Sequence, residues 1–152
     1  ALSATSVDVS DLVSRVARGF LPQSQQLGVA LRTEVAPGLP SLLVDTTACE
    51  QLLANLVANA LQASPRGGEV RVAASRRGNG VELRVDDRGP GVPVADRARV
   101  FEPFFTTKPA GSGTGLGLAV VEAVVRAHGG RVEIEDAPGG GASFVVWLPL
   151  GR

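Results

Sequence analysis

The run "GSGTGLGLAVVEAVV", residues 111–125, sets Gly111, Gly113, Gly115 and Gly117 directly before an apolar helical pattern. Glycine loses more conformational freedom on folding than any other residue, so this spacing needs a cause. One cause is backbone at positive φ; another is a ligand that approaches where no side chain fits. A helix N-terminus carries unpaired N–H groups and a partial positive charge, which suits phosphate. A flexible linker ahead of a helix would read the same way. Lys108, just upstream, is the single lysine among 15 basic residues.

Two further groups could carry chemistry. Asn55 and Asn59 are four apart, so on a helix both emerge on one face. Half-buried amides there need partners, either a metal ion with its waters or solvent on a polar outer face. In "VDDRGPGVP", Asp87 precedes Gly89 and Gly91 at the end of a strand pattern, with Asp86 beside it. A turn explains the glycines. An acid fixed beside bare backbone also suits a flat base whose exocyclic amine donates to it, a charged hydrogen bond of about 1.5–3 kcal/mol. Neither common phosphate signature fits. The P-loop needs a Lys after its glycines, and the dinucleotide fingerprint needs GxGxxG after a strand, whereas GxGxG here follows loop.

These residues require elements to hold them. "SVDVSDLVSRVARGF" predicts a short strand and then a helix starting at Ser10 and Asp11, which Pro22 bends or ends. "VALRTEVAP" and "LLVD" predict strands. Asp45, Thr46 or Thr47 can cap the helix "ACEQLLANLVANALQAS", with Thr47 and Glu50 forming a capping box. "EVRVAASRR" and "VELRVDD" predict a hairpin about residues 78–80. From Arg88 to Ser112 no long period appears, which predicts a functional or disordered loop with a short helical turn. "GLAVVEAVVRAHGG" predicts a helix ended by Gly129 and Gly130. "RVEIED" and "ASFVVWLP" predict a second hairpin. The fold class is α+β, with helices on one face of a mixed sheet.

The 152 residues suit one domain with a real core, and 44% of them are hydrophobic. Fifteen basic residues balance fifteen acidic ones, so bulk charge draws the chain to neither nucleic acid nor an anionic membrane. No stretch reaches the ~18 apolar residues of a membrane span, and the first 30 lack a signal-peptide layout. The lone Cys49 makes no internal disulfide and reads as a small buried hydrophobe. Starting at Ala1 without Met, the sequence is expected to be a fragment of a longer chain.

In order, "NLVANALQAS", "DDRGPG", "FEPFF" and "GSGTGLGLA" resemble the N, G1, F and G2 boxes of the catalytic ATP-binding (HATPase_c) domain of two-component sensor histidine kinases. That domain belongs to the group shared with DNA gyrase B, Hsp90 and MutL. The resemblance extends from about Ser6 to Pro149, and "NALQAS" and "FFTTK" match the nitrogen-regulation kinase subgroup. It implies a two-layer α/β sandwich of the Bergerat type, with about five mixed strands and three helices on one face. It implies that Asn59 holds Mg²⁺ on the ATP phosphates with Asn55 nearby. Asp87 would accept the adenine amino hydrogen, sharing a water with Ser143, and Gly89 and Gly91 would line the base pocket. The segment from about Pro93 to Ser112 would be the ATP lid, anchored by Phe101, Phe104 and Phe105. Lys108 and the backbone of Ser112, Gly113, Thr114, Gly115, Leu116 and Gly117 would meet the phosphates. Gln62, Ala63 and Ser64 stand where many members carry a phosphate-binding basic residue, so Lys108 is expected to take that role, with Arg66 and Arg97 as lesser candidates.

In gyrase-like ATPases a Glu stands one turn before the metal Asn and activates water. Here that position is Asn55, which cannot act as a general base. The expected chemistry is therefore transfer of the γ-phosphate to a histidine on a separate dimerisation domain, with a response regulator downstream. His128 is expected to end a helix, its charge suiting the helix dipole, rather than to accept phosphate. The fragment itself is expected to be monomeric and cytoplasmic. The rival readings are a degenerate nucleotide-binding interaction module and an anti-sigma-type serine kinase. Trp147 is assigned no role.

Overall fold

The structure is a computed structural model that describes residues 3–103, 105 and 117–150. The central helix sets the layout. Leu52, Leu53, Leu56, Val57 and Leu61 are all at most 1% exposed on the helix Thr46–Ala63 (α3). An apolar stripe that wide needs cover from more than one neighbour. On one side it meets the strands Glu69–Arg77 (β4) and Gly80–Asp86 (β5), through Val70, Val72, Leu83 and Val85. On its flanks lie the helices Val9–Gly19 (α1) and Gly117–Ala127 (α4), which contribute Leu12, Val13, Val121 and Val125. Truncating a side chain as enclosed as Leu56 to alanine costs about 2–5 kcal/mol.

The main sheet adds Ala30–Val35 (β2), Arg131–Asp136 (β6) and Ala142–Pro149 (β7), in the order β2-β4-β5-β7-β6. β2 runs parallel to β4 and the other pairs are antiparallel, so the sheet is mixed as expected. Alternation along β5 sends Val81, Leu83 and Val85 toward the helices, while Glu82 and Arg84 lie on the helix-free face. A separate two-stranded sheet pairs Ala4–Val7 (β1) with Leu42–Asp45 (β3).

Several element ends differ from expectation. The cap of α1 is Asp8, which accepts from the Asp11 amide at 3.1 Å, so the helix starts before Ser10. α1 ends at Gly19, just ahead of Pro22 as expected, but Pro22 also belongs to the start of the next helix. It sits in the first turn of Leu21–Leu27 (α2), where its missing N–H costs nothing. The cap of α3 is Asp45, accepting from the Ala48 amide at 3.0 Å, and no Thr47–Glu50 box forms. Glu50 instead pairs with Arg15 of α1 at 2.5 Å. The long loop carries the expected short turn, a 3-10 helix at Val94–Asp96. Cys49 is 1% exposed, and burial pushes its thiol up to about 11, so it stays a protonated core side chain. No helix among the described residues is long and apolar enough to cross a membrane.

Candidate functional site

β5 ends at Asp86, and the next residue, Asp87, is 3% exposed on the helix side. Its Oδ1 accepts two backbone amides, Gly89 at 2.8 Å and Ala142 at 3.0 Å. Among the described residues no donor meets Oδ2. Burial pushes the Asp87 carboxyl above its ordinary value, the amides of Ala142 and Gly89 pull it back, and the Asp86 charge adds to the rise. Such a carboxylate has one oxygen fixed and one able to accept a ligand N–H.

Missing Cβ atoms shape the surroundings. A Cβ on Gly89 would come within 2.6 Å of the Ala63 carbonyl, so that glycine lets the loop pass against the end of α3. Gly91 has φ of 79° and lies beside Gly141. Gly141, at φ 95°, has no room at all: a Cβ there would overlap the Asp87 carbonyl and stand 2.8 Å from its Oδ1. Gly141 and Ala142 are the site residues that sequence reasoning missed. Their signal was the run Gly139–Gly141 ahead of the last strand.

Asn55 and Asn59 are both half-buried, four residues apart on one face of α3. Asn55 Nδ2 donates to the Gly117 carbonyl at 3.3 Å, so the first residue of α4 meets the asparagine face directly. An amide oxygen such as that of Asn59 suits a hard cation that keeps most of its waters, as Mg²⁺ does. Among the described residues no three His, Cys, Asp or Glu side chains converge as a metal cluster. Lys108, Ser112, Gly113, Thr114, Gly115, Leu116 and Phe104 lie outside the described residues.

The loop after Gly91 is tied down at several points. Arg97 donates to the Val92 carbonyl at 2.9 Å, the Ile134 carbonyl at 3.4 Å and Asp136 at 2.7 Å, which straps the loop to β6. Phe101 is buried edge-on against Phe144, centroids 6.4 Å apart. Phe105 packs on the core with the Arg99 guanidinium 4.7 Å over its ring. Arg66 donates to the Gln26 carbonyl at the α2 corner. The guanidinium of Arg66 is thus committed to a backbone carbonyl, and that of Arg97 to two backbone carbonyls and the Asp136 carboxylate.

Two expectations need correction. Ser143 does not join Asp87. It is fully buried on the opposite, helix-free face, where its hydroxyl donates to Asp86 and accepts from Arg84 at 3.0 Å. Sheet alternation decides this, because Ser143 pairs with Asp86 in register. His128 does end α4, but as a neutral ring rather than a cation. Nε2 accepts from the Asp45 amide at 3.1 Å, which leaves the proton on Nδ1 to donate to the Val124 carbonyl at 2.8 Å.

The geometry matches known proteins. Residues 44–152 match the family model HATPase_c, described as histidine kinase-, DNA gyrase B- and HSP90-like ATPase. The alginate biosynthesis sensor protein KinB of Pseudomonas aeruginosa is 36% identical over 98% of this chain, which spans 25% of KinB's length. The crystal structure of full-length ShkA in complex with AMPPNP superposes on all of this chain, at TM-score 0.90 and 35% identity over 32% of its own length. The histidine kinase ThkA, in complex with the response regulator protein TrrA, matches 97% of this chain at TM-score 0.84 and 25% identity, over 42% of its own length. The chain belongs to the histidine kinase-, DNA gyrase B- and HSP90-like ATPase family, as a HATPase_c domain of the sensor histidine kinase kind.

Proposed function

We propose that this domain binds Mg-ATP between α3, the loop after β5 and the start of α4, and presents the γ-phosphate to a histidine on a separate dimerisation domain. The observation that carries the reading is Asp87, a buried carboxylate with one oxygen held by two backbone amides and the other met by no donor among the described residues. Support also comes from AMPPNP bound by the related ShkA.

In this reading Asp87 Oδ2 accepts the adenine amino hydrogen, while Gly91 leaves room for the ring and Gly141 leaves room for Asp87 itself. Asn59 supplies an amide oxygen to Mg²⁺, and Asn55 aligns the start of α4 through Gly117. The bound Mg²⁺ would offset phosphate charge, the main demand of phosphoryl transfer. Lys108 and the backbone of residues 112–117 would add donors to the phosphates. Asn55 bears no carboxylate to activate water, so the site suits an external nucleophile over hydrolysis. An incoming imidazole nitrogen would form the new N–P bond as the bond to the ADP oxygen breaks. The response regulator seated on ThkA suggests the next acceptor along the chain of transfer. The parent protein would act in the cytoplasm, whether or not it is anchored to a membrane.

The test is calorimetric titration of ATP and GTP with Mg²⁺, on the wild type and on Asp87→Asn. ATP should bind, GTP should not, since guanine presents an acceptor oxygen where adenine offers a donor, and Asp87→Asn should abolish ATP binding. Phosphorylation of an added histidine domain, with no transfer in its absence, then tests the kinase step. Failure of ATP to bind would favour a domain that serves as an interaction module.

A further inference from the structure

β5 ends at Asp86 and Asp87 follows it, so only one of the two adjacent aspartates can face the helices. On the helix-free face a single row of side chains crosses the sheet in register, one from each strand: Arg32, Arg71, Asp86, Ser143 and Glu135. Both oxygens of Asp86 are taken within it. Arg71 donates to Oδ2 at 2.9 Å, and the Ser143 hydroxyl donates to Oδ1. Arg71 also reaches Glu34 at 2.6 Å, and Arg84 ties Ser143 to Glu135 at 3.1 Å. Asp86 is 8% exposed, so its charge is removed from water and rests on these partners.

This row lies one residue from the nucleotide side of the same backbone. Ser143 follows Ala142, whose amide fixes Asp87 Oδ1, and Asp86 precedes Asp87. A slip of one residue between β5 and β7 would exchange the two aspartates across the sheet. The bond from Ser143 to Asp86 opposes that slip at the strand ends, and Arg71 offsets a negative charge standing behind Asp87.

Resting on the ATP-binding reading above, we propose that Asp86, held by Arg71 and Ser143, is a positioning residue for adenine recognition that acts from the face opposite the nucleotide. Asp86 touches no ligand. It holds β5 and β7 in the register that turns Asp87 toward the base, and Arg71 keeps its charge from opposing the second carboxylate.

The test compares ATP affinity by calorimetry for the wild type, Arg71→Met, Asp86→Asn with Arg71→Met, and Asp87→Asn. All are measured at a temperature where melting curves show every variant folded. Arg71→Met leaves the Asp86 charge without its cation and should weaken ATP binding roughly 5- to 20-fold, as expected for charges at this separation in a half-buried setting. Adding Asp86→Asn removes that charge, keeps an acceptor for Ser143, and should restore affinity to within about 3-fold of the wild type. A purely structural row predicts the opposite, since the double variant loses more contacts than the single one. Wild-type affinity in Arg71→Met, or a double variant as weak as the single, overturns the inference while leaving the ATP reading in place. If Asp87→Asn binds ATP like the wild type, the site reading itself fails and takes this inference with it.

Discussion

Asp86 and Asp87 are chain neighbours with opposite environments. Asp86 points to the helix-free face, where a guanidinium and a hydroxyl satisfy both of its oxygens and further Arg and Glu side chains extend the array to the sheet edges. Asp87 points to the helix side, where its only donors among the described residues are two backbone amides on one oxygen. A carboxylate answered by side chains has no oxygen left for a ligand and can act only through the strands it holds. A carboxylate held by fixed amides and left with an unanswered oxygen is built to meet something else. Burial alone does not separate them, since both are nearly inaccessible. The donors do.

The change that should break this contrast most is Asp87→Asn. Its oxygen can keep both amides, while its new NH₂ meets the adenine amine donor to donor. ATP affinity should fall at least about 100-fold, with the thermal midpoint held or raised because a buried charge is gone. Calorimetry and a melting curve on the same sample read both halves. The pH dependence sharpens the point. A carboxyl raised above its ordinary 3.8 favours the folded state below that value, and this contribution is lost as pH rises through the folded value. Denaturant titrations across that interval should show Asp87→Asn gaining on the wild type as pH rises, then holding a constant lead.

Gly141→Ala attacks the backbone that Asp87 packs against. It imposes positive φ on a side chain and overlaps the Asp87 carbonyl. A loss of about 2–4 kcal/mol in chemical denaturation is expected, accompanied by weaker ATP binding. Arg97→Ala should cost less, about 1–2 kcal/mol for its lost hydrogen bonds. Faster amide exchange should appear around residues 92–97 and at β6. Asp136→Ala should change little, because that carboxylate is 85% exposed.

The smallest effect contrasts Asp87 with a third aspartate. The Ala48 and Ser3 amides hold the Asp45 carboxyl below its ordinary value. Its contribution is therefore present above pH 3.8 and is lost as pH falls through the lower folded value. Asp45→Ala should lower the melting midpoint at pH 7, and the deficit should shrink in acid. Melting curves at both pH values check this.

Local chemistry made much of the molecule readable. The stripe of α3, the alternation of β4 and β5 around a glycine turn, and the spacing of Asp87 from its glycines follow from periods of 3.6 and 2 and from turn residues. The same local signals put Asn55 and Asn59 on one helix face, and the structure carries that face to Gly117, 62 residues on from Asn55. Where local signals competed, tertiary packing chose. Thr47 and Glu50 had the spacing of a capping box, yet Asp45 caps α3, and Arg15 of another helix takes Glu50. His128 looked like a cation at a helix end until the Asp45 amide, 83 residues away, required its free lone pair. Ser143 differs from Ala142 by one step along a strand, and one step is the distance between the two faces of a sheet.

By itself, then, the sequence determined the elements, their order, and the residue types able to meet a base, a cation and phosphate. These depend on interactions within a few residues. Only the tertiary structure decided that Ser143 answers Asp86 on the helix-free face, that Ala142 supplies the second amide of Asp87, and that Gly141 must lack a side chain. Each depends on the register between β5 and β7, strands whose paired residues lie more than fifty positions apart, and no local period encodes that alignment.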